Sequence, residues 1–297
     1  MLPRGRYPAI NWVCKRHIAP FYGSLGLTNE GPAFVCDLSD AIAREAWFMG
    51  FYERQETAIL IDILRSGMCV VDVGANWGYY TLLAAQIVGS CGRVISLEPH
   101  PSLLKLLDEN IRLNNLTSVT PLCIAASNRD GEMNLAGFDE SQCNSGTSRL
   151  TETASEGVNN FRVKSRLLEP LLDAHNIGDV DLLKIDIEGG EGLVVPTLHS
   201  GLSQRRFKRI LIELHPAALT EMKVTAASLI QMILSYGYQA WRIDHSMQPS
   251  KRAAYQLPSS ASNFLTKVDH NDRLDDWPHI LFLAAGVGMP CQPDSHS

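Results

Sequence analysis

Four stretches of this chain combine residue types that could do chemistry: VVDVGANWGYY at 70–80, ISLEPHP at 95–101, LLKIDIEGGE at 182–191 and LIELHP at 211–216. In the first, an apolar run ends at Asp72 and crosses Gly74, Ala75, Asn76 and Gly78 before returning to aromatics. A glycine-bearing turn between a strand and a helix lets backbone approach a ligand at the carboxyl end of the sheet. The spacing is G-x-x-x-G, and a carboxylate sits just before the loop. A pyrophosphate on a helix N-terminus needs positive potential, which Asp72 opposes. A ligand with a fixed cation and no phosphate fits better, such as the sulfonium and α-amino group of S-adenosyl-L-methionine. Glu98 follows Gly74 by 24 residues. There a carboxylate can accept hydrogen bonds from both ribose hydroxyls, a feature that suits NAD equally. Trp77, Tyr79 and Tyr80 could stack on adenine or flank the sulfonium; the alternative is that they pack the core.

The elements that must position these residues follow from hydrophobic periodicity. ETAILIDILRSG reads as an amphipathic helix closed by Gly67, CVVDVG as a buried strand, YYTLLAAQIVG as a helix stopped by Gly89, and RVISLEP as a second strand. PSLLKLLDENIRLNN is a second such helix and VTPLCIAAS a third strand. Short strands that are apolar on both faces and alternate with helices mark a parallel sheet covered on both sides. The expected fold is therefore α/β and doubly wound. NRDGEMNLAGF suggests a hairpin around Asp130-Gly131, and 139–160 is polar and without periodicity, so it reads as a loop insertion. Strands resume with DLLKIDIEG and RILIELHP, a helix begins near Glu191, and TAASLIQMILSYGY is amphipathic. QAWRID and HILFLAA are further strand candidates. Residues 1–55, with one helix from Asp40 through AIAREAWFMGFYE, read as an N-terminal extension or lid. Residues 56–286 form the main domain and 287–297 a tail.

Composition excludes several function classes. The 297 residues can bury a large core; 45% are hydrophobic and 20% charged, as in ordinary globular proteins. A net charge of −6 leaves no broad footprint for nucleic acid, and the one basic cluster, QRRFKR at 204–209, reads as a solvated turn. The seven cysteines are scattered without a C-x-x-C pair, which suits reduced thiols and a cytoplasmic setting. No apolar stretch reaches the ~20 residues of a membrane span, and no signal-peptide segment is expected.

Taken together, VVDVGANWGYYTLLAA, GRVISLEPHPSLLKLLDENIRLNN, LLKIDIEGGE and ILIELHP resemble the FkbM-type family of class I S-adenosylmethionine-dependent methyltransferases. The resemblance runs from about Tyr52-Glu53 to about Ala284. It implies a Rossmann-like sheet of about seven strands with a final antiparallel strand, and S-adenosyl-L-methionine as cofactor, leaving S-adenosyl-L-homocysteine. It also implies methyl transfer to a hydroxyl of a small molecule, sugar, glycolipid or polyketide-type secondary metabolite. On this basis Asp72, Gly74, Ala75, Asn76, Gly78, Tyr80, Glu98, Pro99, Ala125 and Asp186 bind the cofactor. Leu167-Leu168-Glu169-Pro170 departs from the Leu-Asp pair common in relatives, and with 139–160 is expected near the acceptor. Homo-oligomerisation is left open.

Methyl transfer from a sulfonium is an in-line displacement, so the protein must align acceptor, methyl and sulfur, exclude water and accept a proton. Lys184 and Asp186 share one side of their strand. Asp186 is the expected acceptor-orienting group or general base, with Lys184 its ion-pair partner. Glu188 and Glu191 would shape the acceptor pocket, although Glu191 could instead complement a helix N-terminus. Glu213 and His215 end the neighbouring strand, where an imidazole beside carboxylates can serve as base. His100 is expected to pack near the ribose loop, and His17, His175, His199, His245, His270, His279 and His296 lack supporting neighbours. Asp186, Glu188, Glu191 and Glu213 are hard oxygen ligands, but nothing in their spacing demands a divalent metal, and none is expected. Two other readings are an NAD-dependent oxidoreductase and a non-catalytic scaffold that binds the nucleotide.

Overall fold

The computed structural model describes residues 19–26, 31–137, 146, 148–151, 160–245, 261–268 and 279–288. Most of the 139–160 insertion and residues 289–297 of the tail lie outside them. The chain opens with an antiparallel pair, β1 (Phe21–Ser24) and β2 (Ala33–Cys36), then α1 (Ala41–Met49) and α2 (Arg54–Ile63). Asp40 caps α1 by accepting from Ala43 N at 2.8 Å. Gly50, at φ 83°, ends this helix four residues before α2 begins, so the expected run into FYE is broken.

The alternating core follows as β3 (Cys69–Val73), α3 (Tyr79–Val88), β4 (Arg93–Leu97), α4 (Pro101–Leu113) and β5 (Val119–Leu122). After β6 (Ala125–Ala126), β7 (Gly131–Ala136), β8 (Arg149–Thr151), β9 (Asn160–Arg166) and α5 (Leu168–Ala174) come β10 (Leu182–Ile185) and α6 (Glu191–Val194). The chain continues through α7 (His199–Ser203), β11 (Arg209–Glu213), α8 (Pro216–Glu221), α9 (Ala226–Ser235), β12 (Gln239–Ile243), β13 (Leu265–Lys267) and β14 (His279–Leu283).

The main sheet has eight strands in the order β13-β12-β14-β11-β10-β3-β4-β5. Neighbours from β11 to β5 run parallel, while β14 inserts antiparallel between β11 and β12. The expected doubly wound sheet with a final antiparallel strand is thus present, with β13 as one strand beyond the expected seven. Alternation puts Val71, Val73, Ile95, Leu183, Ile185, Ile210 and Ile212 into one buried cluster. Val70, Val94, Leu182 and Leu211 enter another, with Leu82 of α3. Helices therefore cover both faces, which is why these strands lack polar-out alternation.

Two local expectations are corrected. VTPLCIAAS splits into β5 at the edge of the main sheet and β6 in a second, four-stranded sheet, ordered β6-β9-β7-β8. Pro121 is tolerated because β5 is an edge strand. The turn at Asp130-Gly131 makes no hairpin, because β9 lies between β6 and β7 and pairs with both. The basic cluster is anchored locally: Arg206 pairs with Asp173 and Lys208 with Asp181, each at 2.8 Å. Among the described residues no helix is long and apolar enough to cross a membrane.

Candidate active site

A cavity of about 360 Å³ opens at the carboxyl ends of β3, β4 and β10. Gly74, Ala75, Asn76, Tyr80, Glu98, Pro99, Ala125, Lys184, Asp186, Glu188 and Glu213 line it, as do Gly146, Ser148 and Leu150 from the insertion. Asp72, Gly78, Glu191 and His215 stand behind that wall. Leu167 to Pro170 lies elsewhere, with Glu169 Oε1 accepting from Gly201 N at 2.8 Å.

The loop after β3 is fixed by backbone demands. Gly74 adopts φ 87°, and both Gly74 N and Ala75 N donate to Leu97 O at 3.0 Å. Asn76, at φ 53°, donates its N–H to Glu98 Oε2 at 2.8 Å. Glu98 Oε1 accepts from His100 N at 2.8 Å, so this carboxylate is held at both ends by backbone. Burial pushes Glu98 up to about 7 despite those two hydrogen bonds. Gly78 opens α3 at φ 103°, and a β-carbon there would meet Leu107 of α4 at 2.6 Å.

The aromatics divide. Trp77 is fully buried and stacks on Phe34 with ring centroids 5.0 Å apart. The Tyr79 hydroxyl accepts from Tyr52 N at 2.8 Å, so Trp77 and Tyr79 are both tied into the packing of the N-terminal region while also lining the cavity. Tyr80 lies under the Lys184 ammonium, 4.5 Å from ring centroid to Nζ, and its hydroxyl donates to Glu53 Oε2 at 2.5 Å.

Sheet register creates a polar row beneath the cavity, since Lys184 pairs with Asp72 and Asp72 with Ser96 on adjacent strands. Thr81 Oγ1 donates to Asp72 Oδ2 at 2.7 Å. Burial raises Asp72, with Lys184 and Thr81 opposing. Lys184 Nζ donates to Asp186 Oδ2 at 3.1 Å. Burial opposes the lysine's charge, but Asp186, Asp72 and Glu53 hold it above the ordinary range. Asp186 is lowered in spite of its own burial by Lys184 and His215.

The acidic tip continues behind the wall. His215 Nδ1 meets Glu191 Oε1 at 3.1 Å, while its Nε2 lies 3.6 Å from Glu188 Oε2 and 3.5 Å from Glu213 Oε1. Burial disfavours the imidazolium, yet these carboxylates raise His215 to about 9. Burial lifts Glu188 to about 7 and Glu213 to about 8. Glu191 is fully buried and also accepts from Ile187 N and Gly189 N, holding the turn around Glu188, which sits at φ 52°.

Sequence reasoning missed Tyr52, Glu53, His245 and His279, which also line the cavity, and Glu56 behind them. Glu56 Oε1 is 2.7 Å from His245 Nε2 and 2.9 Å from His279 Nδ1. One signal for His279 lay in the topology. Once β14 pairs antiparallel with β11, its first residue falls opposite Glu213.

The methyltransferase FkbM domain model matches residues 72–240. The chain is 31% identical over 117 residues to the tRNA(Phe) (4-demethylwyosine(37)-C(7)) aminocarboxypropyltransferase of Methanocaldococcus jannaschii, covering 39% of this chain and 45% of that one. It is 38% identical over 56 residues to the protein-L-isoaspartate O-methyltransferase of Methanothrix thermoacetophila, covering 18% and 27% respectively. The chain thus spans less than half the length of the curated relatives it matches. The crystal structure of methyltransferase FkbM from Methylobacillus flagellatus KT aligns with a TM-score of 0.42 and 14% identity, over 94% of this chain and 58% of that one.

Proposed function

Starting from the membership of this chain in the FkbM methyltransferase family, shown by the match over 72–240, we propose that it moves the methyl group of S-adenosyl-L-methionine to a hydroxyl oxygen. The acceptor class is a small molecule, sugar, glycolipid or polyketide-type secondary metabolite. One observation carries the reading. The glycine loop, the backbone-held Glu98 and the Lys184–Asp186 pair border a single cavity at the ends of adjacent parallel strands. Glu98 keeps lone pairs for ribose hydroxyls, while Gly74 to Asn76 present backbone to the amino-acid part of the cofactor. The residues fit the group, and the bound sulfonium supplies the activated carbon.

The chain's own groups then orient the acceptor and handle its proton. Asp186 is held ionised by Lys184 and stands in the cavity, where it can accept a hydrogen bond from the acceptor hydroxyl. Glu213 and Glu188, each raised toward neutrality, are proton acceptors of second resort, and His215 ties them to Glu191. Ile42, Tyr52 and Glu53 reach the cavity from the N-terminal region, which supports a lid role for residues 1–55. The G-x-x-x-G spacing with an acid at the strand end favours this cofactor over NAD.

The test is conversion of S-adenosyl-L-methionine to S-adenosyl-L-homocysteine with pooled hydroxylated acceptors. Asp186→Asn should lower turnover while leaving cofactor affinity close to wild type. Undiminished turnover in the folded variant removes Asp186 from the chemistry, and no turnover by wild type with any acceptor favours a scaffold.

A further inference from the structure

Glu56, His245 and His279 come from three separate elements: the first turn of α2, the segment just after β12, and the first position of β14. Their ligand atoms all lie within 4.8 Å of one another. Glu56 Oε1 faces both imidazoles, and the two rings are tilted by 41° with centroids 4.4 Å apart. A second observation points to a cation. Glu56 is only 2% exposed, and its other oxygen, Oε2, has no hydrogen-bond partner among the described residues. An unpaired carboxylate oxygen in the interior is costly, and a bound cation would satisfy it. A third lies one shell further out, where His279 turns its remaining nitrogen, Nε2, toward Glu213 Oε1 at 3.4 Å. Metal-binding histidines commonly anchor their second nitrogen on a carboxylate in this way.

We propose that Glu56, His245 and His279 form a binding site for a first-row divalent transition-metal ion, with Glu213 orienting His279. Two imidazoles and one carboxylate suit zinc, iron or cobalt better than magnesium or calcium, which take oxygen ligands. The His245 side chain is 41% exposed and both histidines border the cavity, so an ion has a route in. Three protein ligands leave coordination positions for water or another oxygen. The site stands apart from the methyl-transfer reading, because the ion needs neither cofactor nor acceptor to bind.

The test uses chelator-treated full-length protein without cofactor, titrated with Co²⁺, Zn²⁺ or Mg²⁺ by calorimetry and, for Co²⁺, by visible absorption. One equivalent of Co²⁺ or Zn²⁺ should bind and raise the melting temperature, with Mg²⁺ much weaker. His245→Ala and His279→Ala should each weaken binding by more than the roughly 10- to 100-fold typical of losing an outer-shell partner. Glu213→Gln should fall within that range. His245 is partly exposed, so its alanine variant should fold, and a far-ultraviolet circular dichroism spectrum unchanged from wild type would confirm this independently. Absence of stoichiometric binding, binding unchanged in both histidine variants, or equal affinity for Mg²⁺ would overturn the proposal.

Discussion

The backbone carbonyl oxygen of Asp186 lies 1.9 Å from where a β-carbon on Gly74 would stand. The loop after β3 and the tip of β10 therefore touch backbone to backbone, and the residue at 74 must also hold φ 87°. Gly74→Ala adds left-handed strain of roughly 1–3 kcal/mol and a clash that displaces Asp186. The variant should lose stability in denaturant titration and lose cofactor affinity together. Wild-type behaviour in both would show that the loop and the strand tip are not coupled.

On the proposed reading, Glu98 should make cofactor binding depend on pH. Its folded value is raised to about 7 by burial, and accepting two ribose hydroxyls favours the ionised form. Affinity for S-adenosyl-L-homocysteine should therefore rise with pH through about 7 and level off above it, falling by up to about tenfold per pH unit well below. The dependence should vanish in Glu98→Gln. A flat profile in wild type would mean that Glu98 does not meet the ligand.

His215 should make stability fall with rising pH. Its folded value is raised from 6.5 to about 9 by Glu191, Glu188 and Glu213, against the effect of burial. That stabilisation is fully present below about 6.5 and is lost as pH rises through about 9. The melting temperature of wild type should drop more than that of His215→Gln between about pH 7 and about pH 10. Parallel curves would show that the imidazolium does not clamp the acidic tip.

Lys184 is the cation on which Asp186 and Asp72 both depend. Its side chain is only 7% exposed, so Lys184→Met would remove the ammonium that faces both Asp186 and Asp72 and leave Asp186 only the weaker influence of His215. Breaking a buried pair in this way costs about 3–5 kcal/mol. Chemical denaturation should show a loss of that order, larger than for Lys208→Met, because the Lys208 side chain is 41% exposed and its pair with Asp181 is open to solvent screening. Equal effects would contradict the buried role.

What could be read from sequence was local. Asp72, Gly74, Asn76, Glu98 and Asp186 lie at strand ends that periodicity locates, and the topology of parallel sheets brings strand ends together. The Glu56–His245–His279 group could not be found that way. Glu56 and His245 are 189 residues apart, and neither belongs to a local pattern. β13, with three residues, is too short to produce a periodic signal. Asp130-Gly131 gave a true turn, but a turn does not say which strands pair, and β9 arrives later in the chain to separate β6 from β7. Trp77 packs on Phe34 of β2 and Tyr79 on Tyr52, and sequence spacing carries no record of those contacts.

The most direct test of the cofactor cleft is calorimetric titration of the purified protein with S-adenosyl-L-homocysteine and, separately, with NAD, alongside Glu98→Ala checked for folding. Binding of S-adenosyl-L-homocysteine that Glu98→Ala weakens by about 1.5–3 kcal/mol, the worth of charge-assisted hydrogen bonds, with no binding of NAD, is the predicted result. Binding of NAD instead, binding of neither, or affinity unchanged in the folded variant would contradict it.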